Sequence, residues 1–239
     1  MPTQQSLIIV IAITSIAALG TLIGCFMAYL IIRRHKKLPK SVLHFIVALG
    51  GGLLFCAIAL VLIPEGCRSL SFFWANTWFL AGSIAFMLLD IVIEKNGGRA
   101  SQIMANTLDS VPESLGIGAA FATGGSVGLL LAFLVGLQNI AEGFNSFDEL
   151  RSGGMSTKSN LVLQLLTSLL GPIAGVLGFL FLAGHPAMVS GLFMFSAGGI
   201  LYLIFHDIAP LAHRTGHWLP TLGSVLGFIL GLASQALVG

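Results

Sequence analysis

Asp109-Ser110-Val111-Pro112-Glu113-Ser114 and Gln138-Asn139-Ile140-Ala141-Glu142-Gly143 are two polar hexapeptides set in segments otherwise apolar enough to cross a membrane. A charge at the centre of a bilayer costs at least ~2.5–3.5 kcal/mol on insertion scales, so buried acids of this kind need a compensating partner. Each hexapeptide carries two polar side chains at i and i+4, which places them on one helix face a turn apart. Two such faces turned toward each other would surround a cation with oxygen atoms.

The surrounding composition sets the class. Of 239 residues, 56% are hydrophobic and 8% are charged, against about 25% charged in a soluble domain, so an all-α polytopic membrane protein is expected. Cys25, Cys56 and Cys67 show no metal or redox spacing and read as buried apolar side chains, with no disulfide framework. The first 32 residues contain no Lys or Arg, and the basic cluster Arg33-Arg34-His35-Lys36-Lys37 follows the first apolar run. That order predicts a first membrane helix with a translocated amino end, not a cleaved signal.

Spanning the hydrocarbon takes ~20 mostly apolar residues, and eight such spans are expected near 7–32, 41–63, 72–93, 101–122, 126–147, 160–183, 187–210 and 218–237. A single transmembrane domain over 1–239 is expected. With both termini outside, the inner connections hold Arg33, Arg34, Lys36, Lys37, Lys40, Lys95, Arg99, Arg151, Lys158 and Arg214, and the outer ones only Arg68. This is the positive-inside pattern of a multi-pass membrane protein, and the plasma (inner) membrane is its expected location.

Gly51-Gly52-Leu53-Leu54-Phe55 ahead of Ile63-Pro64 and Gly198-Gly199-Ile200-Leu201-Tyr202 ahead of Ala209-Pro210 relate the second span to the seventh. The two polar hexapeptides relate the fourth to the fifth. Both pairs run antiparallel, so an inverted 3+2+3 repeat with a site near the bilayer midplane is expected. At 1.5 Å per residue, Asp109 and Glu113 lie ~12 and ~18 Å from the inner start of their helix, and Gln138 and Glu142 lie ~18 and ~24 Å from the outer start of theirs. Pro112 withholds a backbone donor and loosens the helix beside Asp109.

With these residues the chain resembles the ZIP family of divalent-metal transporters, whose fourth-helix motif is His-Asn/Ser-x-Pro-Glu-Gly and whose bacterial fifth-helix motif is Gln-Asp/Asn-x-Pro-Glu-Gly. The resemblance implies eight spans, both ends outside, and a metal site between the fourth and fifth helices. It makes Asp109, Glu113, Gln138 and Glu142 the primary site, with Ser110 and Asn139 facing a secondary one. His206-Asp207 stands where the family often has His-Glu on the metal pathway. The chain departs at Asp109, which replaces the leading histidine, at Ser114, which replaces a glycine, and at Gly171, where a carboxylate often precedes the proline. One strong site is therefore expected in place of a binuclear one. A homodimer enters only through the resemblance.

Asp109, Glu113, Glu142 and the Gln138 amide offer oxygen ligands, which suit harder ions, whereas zinc sites favour thiolate and imidazole. Zinc, iron, manganese and cadmium all stay open as cargo, no cofactor or nucleic-acid partner is expected, and the metal is substrate. Three crowded acids exceed the charge of one divalent ion, so metal binding is expected to release a proton and uptake to be pH-sensitive. The competing readings are a structural polar network joining helices four and five, and an intramembrane metal-dependent hydrolase. HExxH is absent, and no Ser/His pairing suggests a nucleophile.

The remaining polar residues receive local expectations. His206 and Asp207, adjacent on a helix, are expected to point ~100° apart and not to share one ion. Asp90 and Glu94 are expected to pair with Lys95 or Arg99, and His44 to sit at the interface. Glu65 reads as a cap or a cation attractor at the outer mouth. Asp148-Glu149 reads as a solvated helix end, and His213 and His217 as a solvated interfacial pair.

Overall fold

The computed structural model describes residues 4–35, 39–96, 99–123, 126–182, 184–213 and 218–238; within these the side chains of residues 4, 5, 35, 94, 96, 99–109 and 123 are outside the description. The described residues form no strand. Eight long helices follow one another: α1 Gln4–His35, α2 Lys40–Gly66, α3 Phe72–Asn96, α4 Arg99–Thr123, α5 Val127–Ser152, α6 Thr157–Leu182, α7 Pro186–His213 and α8 Trp218–Val238. Among the described residues, seven are long and apolar enough to cross a membrane. The eighth, α4, is 25 residues long and carries the first polar hexapeptide.

Three helices are interrupted, each at a proline. α2 and α7 contain five-residue π-helical turns, Ile58–Leu62 before Pro64 and Ile204–Ile208 before Pro210. In both, the residue after the turn reaches back five positions, Ile63 N–H to the Ile58 carbonyl and Ala209 N–H to the Ile204 carbonyl. A proline without an N–H cannot close a regular turn, and a widened turn absorbs the defect. α6 divides between Ser168 and Leu170, ahead of Pro172. There the Thr167 and Ser168 hydroxyls donate to the Gln164 carbonyl at 3.1 and 2.7 Å. Such back-bonding is a recognised cause of helix bending.

The helices pack in four intimate pairs, α1 with α5, α2 with α8, α3 with α7 and α4 with α6. In each pair a glycine from both partners lies against the other's backbone. A Cβ at Gly24 would fall on the Ile140 carbonyl and one at Gly143 on that of Thr21. Gly52 and Gly227 meet the carbonyls of Ser224 and Leu49, Gly82 and Gly198 those of Phe195 and Phe79, and Gly118 and Gly178 those of Gly175 and Leu115. Lipid supplies no hydrophobic drive for association, so close backbone contact carries the packing.

α2, α5 and α7 are central, with 61% of their apolar stretch buried in the protein, against 11% for α3 and 22% for α8. The core runs through Leu53, Ile58, Ile117, Leu131, Phe193 and Ile200. Outward faces stay apolar, as a bilayer requires, with Phe72 and Trp74 at the start of α3 and Trp218 at the start of α8. Arg33, Arg34, Lys40, Lys95, Arg151 and Lys158 fall at one end of the bundle. Two local expectations fail here. Cys67 is exposed, because α2 ends at Gly66 before reaching it. His44 is buried by protein, not interfacial, because its turn of α2 faces inward.

Candidate functional site

α4 and α5 place the two hexapeptides side by side. Glu113, Gln138 and Asn139 are 4%, 1% and 5% exposed, and Ser110 and Glu142 are half-buried. Gln138 Nε2 donates to Glu142 Oε1 one turn on, the i,i+4 pairing expected from the spacing. Asn139 Nδ2 donates to the Ala17 carbonyl on α1 at 2.9 Å. Both amides thereby commit their N–H groups, while Gln138 Oε1 and Asn139 Oδ1 are buried with no hydrogen-bond partner among the described residues. An unmatched buried acceptor is costly, and an ordered water or an ion in contact with it would remove that cost.

The two acceptors border different cavities. Glu113 and Gln138 line one that is closed by Leu53 and Leu54 of α2 and by Phe193 and Ser196 of α7. Ser110, Asn139 and Glu142 line a second, between α1, α4, α5 and α6. The three members of the expected primary site whose side chains are described are divided between these two voids. Glu113 and Gln138 face the first cavity, and Glu142 the second, with the Gln138–Glu142 hydrogen bond linking them. Asp109 lies on α4 one turn before Glu113, and its side chain is outside the description.

Ser196 is the residue that sequence reading passed over. It is 2% exposed, lines the first cavity, and its hydroxyl has no partner among the described residues. A serine two residues before Gly198 in an apolar run was the available signal.

At the Arg/Lys-rich end, His206 Nδ1 lies 2.9 Å from Asp207 Oδ1 and 3.0 Å from Asp90 Oδ2. Ligand atoms of all three fall within 4.8 Å of one another. The expectation that His206 and Asp207 diverge is thus corrected: they sit on the π-turn, which breaks the regular angular spacing of an α-helix. Asp90 joins α7, and among the described side chains it makes no ion pair with Lys95. It accepts from the Tyr202 hydroxyl at 3.0 Å, and the Tyr202 ring stacks on His206 at 5.2 Å. Glu94 and Arg99 lie outside the described side chains.

Elsewhere, Glu65 is paired with Arg68 at 3.0 Å, and its carbonyl accepts from Ser190 at 3.0 Å, so it locks the end of α2 to α7. Glu149 accepts from Asn145 at 3.1 Å on the exposed end of α5. His213 is exposed at the end of α7, and His217 lies outside the described residues.

Fold and site together define an all-α polytopic membrane protein with a buried carboxylate–amide centre between two neighbouring helices. No family profile matches the chain. Sequence comparison aligns it with zinc transporter GufA of Myxococcus xanthus at 34% identity, over 57% of this chain and 55% of that protein. Zinc transporter ZIPB of Bordetella bronchiseptica is 26% identical over 57% of this chain and 45% of its own length. Zinc transporter ZupT of Akkermansia muciniphila is 26% identical over 99% of this chain and 98% of its own. The chain thus spans about half the length of GufA and ZIPB and nearly all of ZupT. Its resemblance to the ZIP family, first carried by the hexapeptides, is supported by these relatives, each of which is named as a zinc transporter.

Proposed function

We propose that the chain carries a divalent metal ion, of the zinc, iron or manganese class, across the membrane toward the cytoplasm through a carboxylate site between α4 and α5. The observation that carries this reading is one buried cavity lined by Glu113 and Gln138 at helix mid-depth, with Gln138 hydrogen-bonded to Glu142 and its own oxygen buried without a partner among the described residues. Glu113 lies ~21 Å from the start of α4 and Gln138 ~17 Å from the start of α5. Asp109, Glu113, Gln138 and Glu142 are the proposed ligands, with Ser110 and Asn139 on the adjoining position. An incoming ion competes with the Gln138 amide for Glu142. The names of the relatives support metal as cargo, and with transporters as relatives the hydrolase alternative is dropped.

The Arg/Lys-rich end is assigned to the cytoplasm and both termini to the outside. His206 and Asp207, joined by Asp90, then form the last ligands before release. The 3+2+3 inverted repeat belongs to the same proposal. Exchanging α1–α3 with α6–α8 and α4 with α5 maps the α1/α5 pair onto α6/α4 and the α2/α8 pair onto α7/α3. The matching π-turns of α2 and α7 support it as well.

Metal flux into proteoliposomes is the deciding experiment. Glu113→Ala and Glu142→Ala are expected to bind and move less metal than the unaltered protein, and wild-type flux in both would remove the assigned site. Release of a proton on metal binding predicts faster uptake at neutral than at mildly acidic pH, at fixed free metal. Equal rates would discard the proton.

A further inference from the structure

Ser196 brings a polar group to the first cavity from a third helix. It shares one face of α7 with Phe193 and Ile200, and all three are buried against that void. Among the described lining residues the polar side chains are Glu113, Gln138 and Ser196, and the remainder is apolar or glycine. A hydroxyl inside a helix ordinarily donates to the carbonyl one turn back. Thr14, Ser168 and Ser234 do so in this chain, each at 2.7 Å, to Val10, Gln164 and Leu230. Ser196 forgoes that bond, and its Oγ is buried with no partner among the described residues. Gln138 Oε1 is in the same condition on the same cavity. Depth agrees, since Ser196 lies ~15 Å from the start of α7 and Gln138 ~17 Å from the start of α5, two helices that run the same way.

We propose that the Ser196 hydroxyl is a metal ligand supplied by α7, and that it weights the divalent position toward hard ions such as manganese. This ligand presupposes the divalent position proposed for Glu113 and Gln138. Carboxylate, amide and hydroxyl oxygens together suit ions of the magnesium and manganese class, whereas softer ions are better held by thiolate. Being neutral, the hydroxyl adds a donor atom without adding to the negative charge at membrane depth, where imbalance is expensive. The leucine, valine and phenylalanine side chains around it offer no atom that could take the hydroxyl in place of an ion. An ion held this way contacts α4, α5 and α7, so the position is not confined to the two helices that carry the hexapeptides.

The test uses the full chain in detergent, stripped with EDTA and titrated with manganese or cadmium by calorimetry. Ser196→Ala is expected to weaken manganese binding about tenfold, the loss of one polar contact to a charge, and cadmium binding by less. Its Tm in EDTA should not fall, because no hydrogen bond among the described residues is lost. Ser196→Cys should reverse the preference. Cadmium should then produce a thiolate charge-transfer band in the ultraviolet beyond that of the unaltered protein, whose Cys25, Cys56 and Cys67 set the baseline. Adding Glu113→Ala should diminish the extra band. Unchanged manganese affinity in Ser196→Ala would overturn the proposal. So would the absence of an extra band in Ser196→Cys while the unaltered protein binds cadmium. A Tm lowered in EDTA, with both metals weakened equally, would make the hydroxyl structural. Binding of both metals left intact by Glu113→Ala would remove the divalent position itself, and this ligand with it.

Discussion

Gln138 shows how much one amide does at this centre. It is 1% exposed, gives its N–H to Glu142, and presents its oxygen to the cavity that Glu113 shares. Glu142 at half-burial is held in place by that donor, so Gln138 both orients an acid and offers a ligand atom. Gln138→Leu keeps approximate size and removes both roles. Metal affinity measured by calorimetry is expected to fall by about 10–100-fold, the loss usual when a ligand's supporting hydrogen bond is deleted. Unchanged affinity would show that Glu142 needs no support. Its i,i+4 link to Glu142 was legible from sequence, because helical periodicity alone puts the two on one face. The division of the site between two cavities was not, since it depends on which way α2, α6 and α7 present their own side chains.

Elements in this bundle are joined backbone to backbone. At the crossing of α2 and α8, a Cβ at Gly227 would fall on the Leu49 carbonyl and one at Gly52 on that of Ser224. Gly227→Leu would force these helices apart or distort them, at a cost of about 1–3 kcal/mol, the usual range for overpacking. Thermal unfolding in detergent should show Tm lowered by about 2–4 °C per kcal/mol, whereas leucine at the lipid-facing Val225 should leave it unchanged. Equal behaviour of the two variants would show that the crossing is not a close contact. Helix positions were legible from apolar length and from Gly and Pro punctuation, with the largest discrepancy at α5, which continues to Ser152 instead of stopping at 147. The π-turns were not read in advance, although Pro64 and Pro210 mark them. A proline announces a missing donor, but whether the helix kinks, breaks or widens is decided by its neighbours.

For the whole molecule, cysteine chemistry reports orientation. Cys67 is exposed just past the end of α2, at the opposite end of the bundle from Arg33 and Arg34, while Cys25 and Cys56 are buried. A membrane-impermeant maleimide is expected to label the protein in sealed right-side-out vesicles, and Cys67→Ser to remove the label. Labelling only after permeabilisation would reverse the assigned orientation and with it the direction of transport. The same experiment checks the positive-inside reading independently of any metal, because it depends on where one thiol meets water.

Apolar run length, the placement of Lys and Arg, and the i,i+4 spacing of acids and amides were sufficient in the sequence for an all-helical membrane bundle with polar pairs on its fourth and fifth helices. These are local or additive properties, set by the thickness of the bilayer and the pitch of a helix. Only the tertiary structure joined Asp90 to His206 and Tyr202, separated the cavity beside Asn139 from the one that Glu113 borders, and buried the Ser196 hydroxyl and the Asn139 oxygen without a partner among the described residues. Those outcomes follow from the rotation of each helix about its axis and from backbone crossings at glycine. Residues far apart in the chain fix both together, and no single segment encodes them.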